Sequence, residues 1–182
     1  MKLKPGYRAP TFKTIDIFGN EFDLSKINDS KIFLSFFRYA ECALCNLRIA
    51  ELKKEASNFQ SQNIEVIAIF QSDSKSIKAS IYDRHQLKFT VISDSNFKLY
   101  NLYQVTPSWR KLLRTASLKG LKSIARAASE GYKLGGKVEG RFNQIPADFL
   151  IDLNGEIKIA HYGTSVIDHI PIREILKDMF WS

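Results

Sequence analysis

The sequence predicts an α/β sandwich whose central sheet is mixed, with parallel strands first and antiparallel strands at the end. Two continuous apolar runs, KIFLSFF at 31–37 and IEVIAIF at 64–70, have strand length and indicate strands buried on both faces. Each run is followed by a segment with helical periodicity, which is the alternation expected of parallel strands joined by helices. Later, IPADFLID and EIKIAHYG flank Leu153-Asn154-Gly155, a tight-turn signal that predicts an antiparallel hairpin.

The remaining elements are predicted from local periodicity and capping signals. In chain order they are a hairpin at 9–24 around Gly19-Asn20, a helix from Cys42 to about Gln62, a helix from Ser72 or Asp73 to about His85, a strand at 89–94, a short helix at 95–103 and a closing helix from Asp168 to Met179. The predicted order is therefore β-β-β-α-β-α-β-α, an insertion, and β-β-α.

Length and composition fit one globular domain. The chain has 182 residues and 45% apolar content, so we expect a single domain over 1–182. No apolar run approaches the ~20 residues of a membrane span. The N-terminal stretch MKLKPGYRAPTF lacks the apolar region of a secretory signal, which favours a cytosolic location.

An insertion at about 104–143 interrupts the alternation and carries most of the positive charge. Residues 104–144 contain nine Lys or Arg and two Glu, a balance of +7 within a total of +8. We predict two helical pieces with a break near Lys119-Gly120. Two apolar faces are expected, one of Trp109, Leu112, Leu113 and Ala116 and one of Leu121, Ile124, Ala125 and Ala128.

Two interpretations of the insertion remain open. It can be a helical cap whose apolar faces cover the sheet or a cleft and whose basic faces contact water. Alternatively, residues 108–130 form a basic surface for an acidic protein, a nucleic acid or an anionic membrane, since amphipathic basic helices attract anions. No nucleic-acid-binding motif accompanies the charge.

The two cysteines, Cys42 and Cys45, lie where the 31–37 strand gives way to a helix. The helix-start N–H groups and the positive end of the helix dipole favour the thiolate of Cys42 and lower its pKa. Cys45, one turn further on, is placed to resolve an adduct on Cys42 and leave an intramolecular disulfide. Arg38 and Tyr39, one turn before Cys42, are candidate supports for the thiolate, whereas the charge of Glu41 would oppose it.

Two other interpretations of the cysteine pair remain open. Both residues can be small apolar side chains packed at a helix start. A zinc site would need four ligands, and His85, His161 and His169 lack ligand spacing to the cysteines. We expect His161 and His169 to be structural or surface side chains.

Pro146 opens the strand of IPADFLID. Proline is tolerated at the first residue of a strand, and X–Pro is the bond type in which a cis peptide costs little. A cis Ile145–Pro146 bond would leave the backbone of Ile145 open to an extended substrate. The residues alone favour an ordinary trans bond.

These motifs carry a family resemblance. Cys-Ala-Leu-Cys between strand and helix, IPADFLID before the Asn-Gly turn, and APTFKTIDIFGNEFDLS near the start resemble the thioredoxin-fold superfamily. More narrowly, the chain resembles the peroxiredoxin-like branch of the alkyl hydroperoxide reductase/thiol-specific antioxidant (AhpC/TSA) family. The resemblance implies a thioredoxin-like three-layer sandwich with an N-terminal β-hairpin. It also implies Cys42 as the nucleophile and a cis-proline at Pro146 facing it.

The chain departs from the family patterns around Cys42. Peroxiredoxins carry Thr and Pro where this chain has Tyr39 and Ala43, and their thiolate-supporting Arg aligns with Lys158. Thioredoxins carry Gly-Pro between the cysteines and a buried acid where this chain has Phe36. These departures favour a dithiol centre over a fast peroxidase or a dedicated thioredoxin.

We therefore predict a thiol–disulfide oxidoreductase in which Cys42 attacks and Cys45 resolves, with Ile145 and Pro146 shaping substrate access. Its electrons would come from an external dithiol, thioredoxin- or glutathione-like, and it would need no metal, flavin or nicotinamide. The alternative enzyme is a hydroperoxide reductase that works through a Cys42 sulfenic acid. An alternative of another class is a redox-sensing or inert adaptor that docks a partner through the basic insertion.

Overall fold

The computed structural model describes residues 1–177, and its strands follow the predicted order. They are β1 Lys13–Ile15, β2 Glu21–Asp23, β3 Lys31–Phe36, β4 Ile64–Phe70, β5 Thr90–Ser93, β6 Ala147–Ile151 and β7 Ile157–Tyr162. β1 and β2 form a separate hairpin, and the other five strands make one sheet in the order β5-β4-β3-β6-β7. β3, β4 and β5 are parallel, whereas β6 is antiparallel to both of its neighbours. The predicted mixed sheet is confirmed.

Helices cover both faces of this sheet. They are α1 Ala43–Lys54, α2 Ala56–Ser61, α3 Ser74–Ile77, α4 Asp83–His85, α5 Lys98–Leu102, α6 Trp109–Leu113, α7 Leu118–Ser129 and α8 Ile172–Lys177. A π-helical turn at Lys78–Tyr82 joins α3 to α4, and the Asp73 carboxylate caps α3 by accepting from the Ser76 N–H at 2.8 Å. The closing helix begins at Ile172, directly after Pro171, rather than at the predicted Asp168. Its predicted end at Met179 lies outside the described residues.

The core forms two layers because successive side chains of a strand point to opposite faces. On one face, Phe33 of β3 packs with Ile49 of α1 and stacks on Phe59 of α2, with ring centroids 6.0 Å apart. On the other face, Phe36 meets the Tyr100 ring of α5 edge to face at 5.2 Å. The apolar runs at 31–37 and 64–70 are buried along nearly their whole length, as expected of strands covered on both sides.

The strand register decides which loops meet. Phe36, the last residue of β3, lies opposite Ala147, and Ala147 lies opposite Tyr162. The segment that leads to Cys42 and the segment that ends at Pro146 therefore emerge at the same end of the sheet. The start of β7 lies at the opposite end, where Ile157 pairs with Ile151.

The insertion forms α6, a 3-10 turn at Arg114–Ala116, and α7. The two predicted helical pieces are present, and the break falls at Ser117, two residues before the predicted Lys119-Gly120. The Ser117 hydroxyl caps α7 by accepting from the Gly120 N–H at 3.2 Å. Gly120 is buried inside α7, where a Cβ would lie 1.6 Å from the Thr115 carbonyl oxygen. Glycine is therefore used here for close packing and not to end a helix.

The two apolar faces predicted for the insertion are only partly covered, since Leu112 and Ile124 are half-buried and the other members are exposed. α7 packs on α1 through small residues, with Ala127 and the following Tyr132 against Ala43 and Leu47. Leu121, together with Ala125 and Ala128 on the same side of α7, is exposed to solvent. On α6, Trp109 and Leu113 are exposed as well. The insertion contacts the first turns of α1 through Ala127 and Tyr132 and not through its leucines.

Candidate active site

Cys42 sits at the N-cap of α1, at the end of the loop that leaves β3. Its backbone is extended, with φ −71° and ψ 115°, its N–H donates to the Tyr39 carbonyl at 3.1 Å, and its carbonyl accepts from the Asn46 N–H at 3.0 Å. The thiol is therefore held where the first N–H groups of the helix point. Cys42 is buried, with 4% of its surface exposed, and both cysteines are reduced thiols.

Arg38 supplies the positive charge beside Cys42. Its Nη1 lies 3.3 Å from the Cys42 sulfur, and its Nη2 donates to the Phe142 carbonyl. The guanidinium carbon stands 4.8 Å from the Tyr39 ring centroid and 5.2 Å from the Phe142 ring centroid. Cation–π contacts on both rings hold the group in the buried site, so it is fixed before any substrate arrives.

The pKa values of the two thiols are shifted in opposite directions. The pKa of Cys42 is lowered to about 6. The hydrogen bond from the Cys45 thiol contributes most, and the charge of Arg38 and the N–H groups of Cys45 and Leu44 add to it. Together these effects outweigh burial, which acts in the opposite direction. Burial and the negative charge on Cys42 raise the pKa of Cys45 well above its ordinary value. At neutral pH Cys42 is therefore the thiolate and Cys45 the neutral thiol.

Asn46 braces the loop that carries Cys42. Its Nδ2 donates to the Ala40 carbonyl at 2.8 Å and the Cys42 carbonyl at 3.2 Å, and its Oδ1 lies 3.0 Å from His85 Nε2. Burial, followed by the charges of Arg84 and Lys53, lowers the pKa of His85 to about 4. The imidazole is therefore neutral at pH 7, with its Nε2–H donating to Asn46. Sequence reasoning missed both residues, because only the fold brings α4 against α1.

Glu41 is directed away from the thiolate. Its carboxylate accepts from the Lys137 N–H at 2.8 Å, and Gly136 packs directly against its side chain. Of the two charged side chains near Cys42, Arg38 contacts the sulfur, whereas Glu41 contacts the insertion. The positive charge of Arg38 therefore acts on the thiolate more directly than the negative charge of Glu41.

Residues 136–142, which we call the strap, cover the site. Besides its contact with Glu41, the strap binds Ser76, whose hydroxyl donates to Glu139 at 2.8 Å. Gln71 exchanges two hydrogen bonds with the backbone of Arg141, at 2.9 and 3.1 Å. With the Arg38–Phe142 contact, these bonds hold the strap over the loop of Cys42.

Ile145 and Pro146 lie at the same end of the sheet as Cys42, but the cis-proline prediction is wrong. No peptide bond among residues 1–177 is cis. The trans bond leads directly into β6, and the Pro146 carbonyl is already paired with the Gly163 N–H at 3.0 Å. Ile145 is buried, and its carbonyl accepts from the Gln144 side chain at 3.1 Å, so its backbone is not an open edge for an extended substrate.

Lys158 does not support the thiolate. It lies on β7 near the end of the sheet opposite Cys42, where its ammonium pairs with Glu156 at 2.9 Å and Asp152 at 3.1 Å. The expectation that Lys158 supports the thiolate is wrong, because a strand pattern in the sequence does not give the register of that strand in the sheet. Arg38 provides a cation at the sulfur from a different place in the chain.

A buried carboxylate lies beneath α1, although Phe36 occupies the position that carries the acid in thioredoxins. Asp148 of β6 accepts from the Ser35 hydroxyl at 2.6 Å and the Ile170 N–H at 2.8 Å, and it lies 3.0 Å from His169 Nδ1. The charge and hydrogen bond of His169 overcome burial and lower the pKa of Asp148 to about 2. This group is a structural clamp between β6 and the segment before α8.

Residues 1–177 contain no group of three or more His, Cys, Asp or Glu arranged to hold a metal ion. Within the same residues, no helix is both long enough and apolar enough to cross a membrane.

The chain matches known proteins along most of its length. Residues 5–160 match the model of the AhpC/TSA family. The chain is 25% identical over 128 residues to the thiol-disulfide oxidoreductase ResA of Bacillus subtilis (strain 168), covering 70% of this chain and 71% of that protein. It is 22% identical over 169 residues to the putative peroxiredoxin Rv2521 of Mycobacterium tuberculosis, covering 93% of this chain and 91% of that protein.

Among solved structures, the peroxidoxin BcpB of Mycobacterium tuberculosis superimposes with a TM-score of 0.71 at 15% identity, covering 98% of this chain and 97% of that one. This likeness confirms the thioredoxin-like fold.

Proposed function

Because the chain belongs to the AhpC/TSA family, as its motifs predicted, we propose that it is a thiol-dependent oxidoreductase that exchanges disulfides through Cys42 and Cys45. The observation that carries the proposal is the pairing of an activated and a protected thiol one helical turn apart. Arg38 lies 3.3 Å from the Cys42 sulfur, while the pKa of Cys45 is raised by burial. A nucleophilic and a resolving cysteine need this difference in pKa, because the first must be a thiolate while the second stays protonated until it attacks.

The reaction proceeds in two exchanges. The Cys42 thiolate attacks one sulfur of a substrate disulfide, the S–S bond breaks, and the first substrate thiolate leaves and takes a proton from water. Cys45 then loses its proton and attacks the Cys42 sulfur, which releases the second substrate thiol. The substrate gains two electrons, and the protein is left with a Cys42–Cys45 disulfide. An external dithiol, thioredoxin- or glutathione-like, returns two electrons and completes the cycle.

The protein contributes positioning and charge to both exchanges. Arg38 and the helix-start N–H groups stabilise Cys42 as a thiolate before attack and as a leaving thiolate when the bridge is reduced. Asn46 holds the backbone on either side of the loop. The burial of Cys42, which has 4% of its surface exposed, limits which disulfides reach the sulfur.

Glutathione disulfide provides a direct test with mass spectrometry. Reduced wild-type protein should release two glutathione molecules and end with an intramolecular bridge, whereas Cys45→Ser should stop with one glutathionyl group on Cys42. Cys42→Ser should remain unmodified. A Cys45→Ser variant that carries no adduct while the wild type forms its bridge would contradict the assignment of nucleophile and resolver.

A second candidate activity is hydroperoxide reduction, which the burial of Cys42 favours because a small peroxide needs less room than a disulfide. The Cys42 thiolate would attack the terminal oxygen, release water or an alcohol, and become a sulfenic acid. The Cys45 thiol would attack that sulfur and release water, giving the same bridge. Stoichiometric hydrogen peroxide separates the two activities: thiol loss faster than exchange with glutathione disulfide would identify a peroxidase.

A further inference from the structure

We propose that the insertion helices form a surface that binds lipid bilayers containing anionic lipids. The surface, called here the insertion face, consists of exposed apolar and basic side chains of α6 and α7. Its apolar members are Trp109, Leu113, Leu118 and Leu121, exposed by 63%, 74%, 80% and 54%. Its basic members are Arg110, Arg114, Lys119 and Lys122, all exposed. The proposal is independent of the redox chemistry.

The side chains of α7 are sorted around its axis. Gly120 and Ala127 face the protein and are buried. Leu118, Leu121, Ala125 and Ala128 recur at spacings of three and four and share a second side, while Lys119, Lys122 and Arg126 share a third. Because Gly120, Ile124 and Ala127 occupy the side that faces the protein, both the apolar and the basic stripe are left toward solvent. A helix in this orientation lies along the protein surface and not end-on to it.

The positive charge of the insertion favours an anionic bilayer as the binding partner of the insertion face. Between 104 and 129 the chain has six Lys or Arg and no acid. Of these, Arg126 is already paired with Glu51 and Glu130, at 2.8 and 2.9 Å, and Lys111 donates to the Gly163 carbonyl at 2.7 Å. The basic members of the insertion face are therefore the ones available to lipid phosphates.

The apolar members favour a bilayer over an acidic protein. Side chains with more than half of their surface exposed protrude, and a protein partner would need matching pockets for each of them. A bilayer accepts protruding Leu and Trp side chains into its interfacial region while basic neighbours contact the headgroups. Leu113 and Trp109, one turn apart on α6, repeat the pattern next to Arg110 and Arg114.

Vesicle co-sedimentation of the full chain tests the proposal. Wild-type protein should sediment with vesicles of equal parts phosphatidylcholine and phosphatidylglycerol and stay in solution with phosphatidylcholine alone. K119E/K122E should lower the partition coefficient at least about tenfold. K54E/K88E, which changes two exposed lysines elsewhere and gives the same net charge, is the matched control and should bind like wild type.

The apolar contribution has its own readout. In a Trp181→Phe background, Trp109 fluorescence should shift to shorter wavelength and be quenched by brominated lipids when anionic vesicles are added. Leu118→Ser/Leu121→Ser should weaken both the sedimentation and the quenching.

Four results would overturn the proposal. They are no sedimentation with anionic vesicles at low salt, equal loss of binding in the two charge variants, binding that is unaffected by the leucine substitutions, and self-association that Leu118→Ser/Leu121→Ser abolishes. Salt-sensitive retention on immobilised polyglutamate without vesicle binding would assign the face to an acidic protein instead.

Discussion

Nη1 of Arg38 lies 3.3 Å from the sulfur of Cys42, four residues further along the same loop. The segment that presents the nucleophile therefore also carries its counter-ion, and the two rings of Tyr39 and Phe142 hold that counter-ion in place. This relationship does not depend on Lys158, which lies near the opposite end of the sheet.

Removing the Arg38 charge should raise the pKa of Cys42. Thiolate absorbance near 240 nm, compared between wild type and Cys42→Ser, should titrate with a midpoint of about pH 6 in the wild type. In Arg38→Met the midpoint should rise by about one pH unit or more, since a buried opposite charge is lost. Arg38→Lys should fall between the two, because a lysine lacks the planar fork that fits this site.

Arg173→Met is the matched control, because Arg173 is an exposed arginine on α8. Its midpoint should equal that of the wild type. A midpoint in Arg38→Met equal to that of the wild type would show that Arg38 does not stabilise the thiolate.

The same pKa makes stability depend on pH. The folded pKa of Cys42, about 6, is below the value of ~8.5 expected in the unfolded chain, so the unfolded state binds more protons between these values. The stabilisation is therefore fully present above about pH 8.5 and is lost as the pH falls through 6. Between pH 6 and 8, the free energy of unfolding of the wild type should rise relative to Cys42→Ser by on the order of 2 kcal/mol.

Urea unfolding of the reduced proteins between pH 6 and 8 measures how the free energy of unfolding changes with pH. A difference between wild type and Cys42→Ser that is constant with pH would mean that the thiolate is not stabilised in the folded state.

Asn46 should be needed to hold the Cys42 loop. Asn46→Leu removes the side-chain donors to the Ala40 and Cys42 carbonyls and the acceptor of His85 Nε2. The Cys42 carbonyl keeps its bond from the backbone N–H of residue 46. We expect a loss of about 1–3 kcal/mol in the free energy of unfolding and slower reaction of Cys42 with glutathione disulfide. Asn58→Leu on α2, where Asn58 is exposed, should change neither. If Asn46→Leu loses stability but reacts at the wild-type rate, Asn46 is structural and does not position Cys42.

Gly120 should tolerate no side chain. Gly120→Ala places a Cβ 1.6 Å from the Thr115 carbonyl oxygen, so the turn before α7 must move. Thermal unfolding should show a destabilisation of about 1–3 kcal/mol. Lys119→Ala, one residue earlier on the exposed side of α7, is the control and should be nearly neutral. A Gly120→Ala variant as stable as the wild type would contradict the close packing of α7 on the preceding turn.

The sequence predicted those features that depend on local pattern. The buried strands at 31–37 and 64–70, the hairpin around Asn154, and the cysteine pair at a strand-to-helix junction all follow from periodicity and turn chemistry over a few residues. The AhpC/TSA family and the thioredoxin-like fold followed from the same motifs. The expected single domain, cytosolic location and electron donor stay predictions.

Features that depend on tertiary contacts could not be predicted in this way. Lys158 was misplaced because a strand pattern does not give its register against β6. The packed side of α7 was misjudged because Ala127 carries less hydrophobic signal than Leu121, although Ala127 is the residue that packs against α1. The hydrogen bond between Asn46 and His85 could not be predicted, because the sequence does not show that α4 lies against α1.

The reduction potential of the Cys42–Cys45 pair, measured in dithiothreitol and glutathione redox buffers with mass detection of the bridge, tests the central claim most directly. A dithiol centre should show one two-electron transition, in which the ratio of oxidised to reduced protein changes tenfold for each ~30 mV, and either Cys→Ser substitution should abolish it. Absence of a Cys42–Cys45 disulfide across the whole range of buffers would contradict the account.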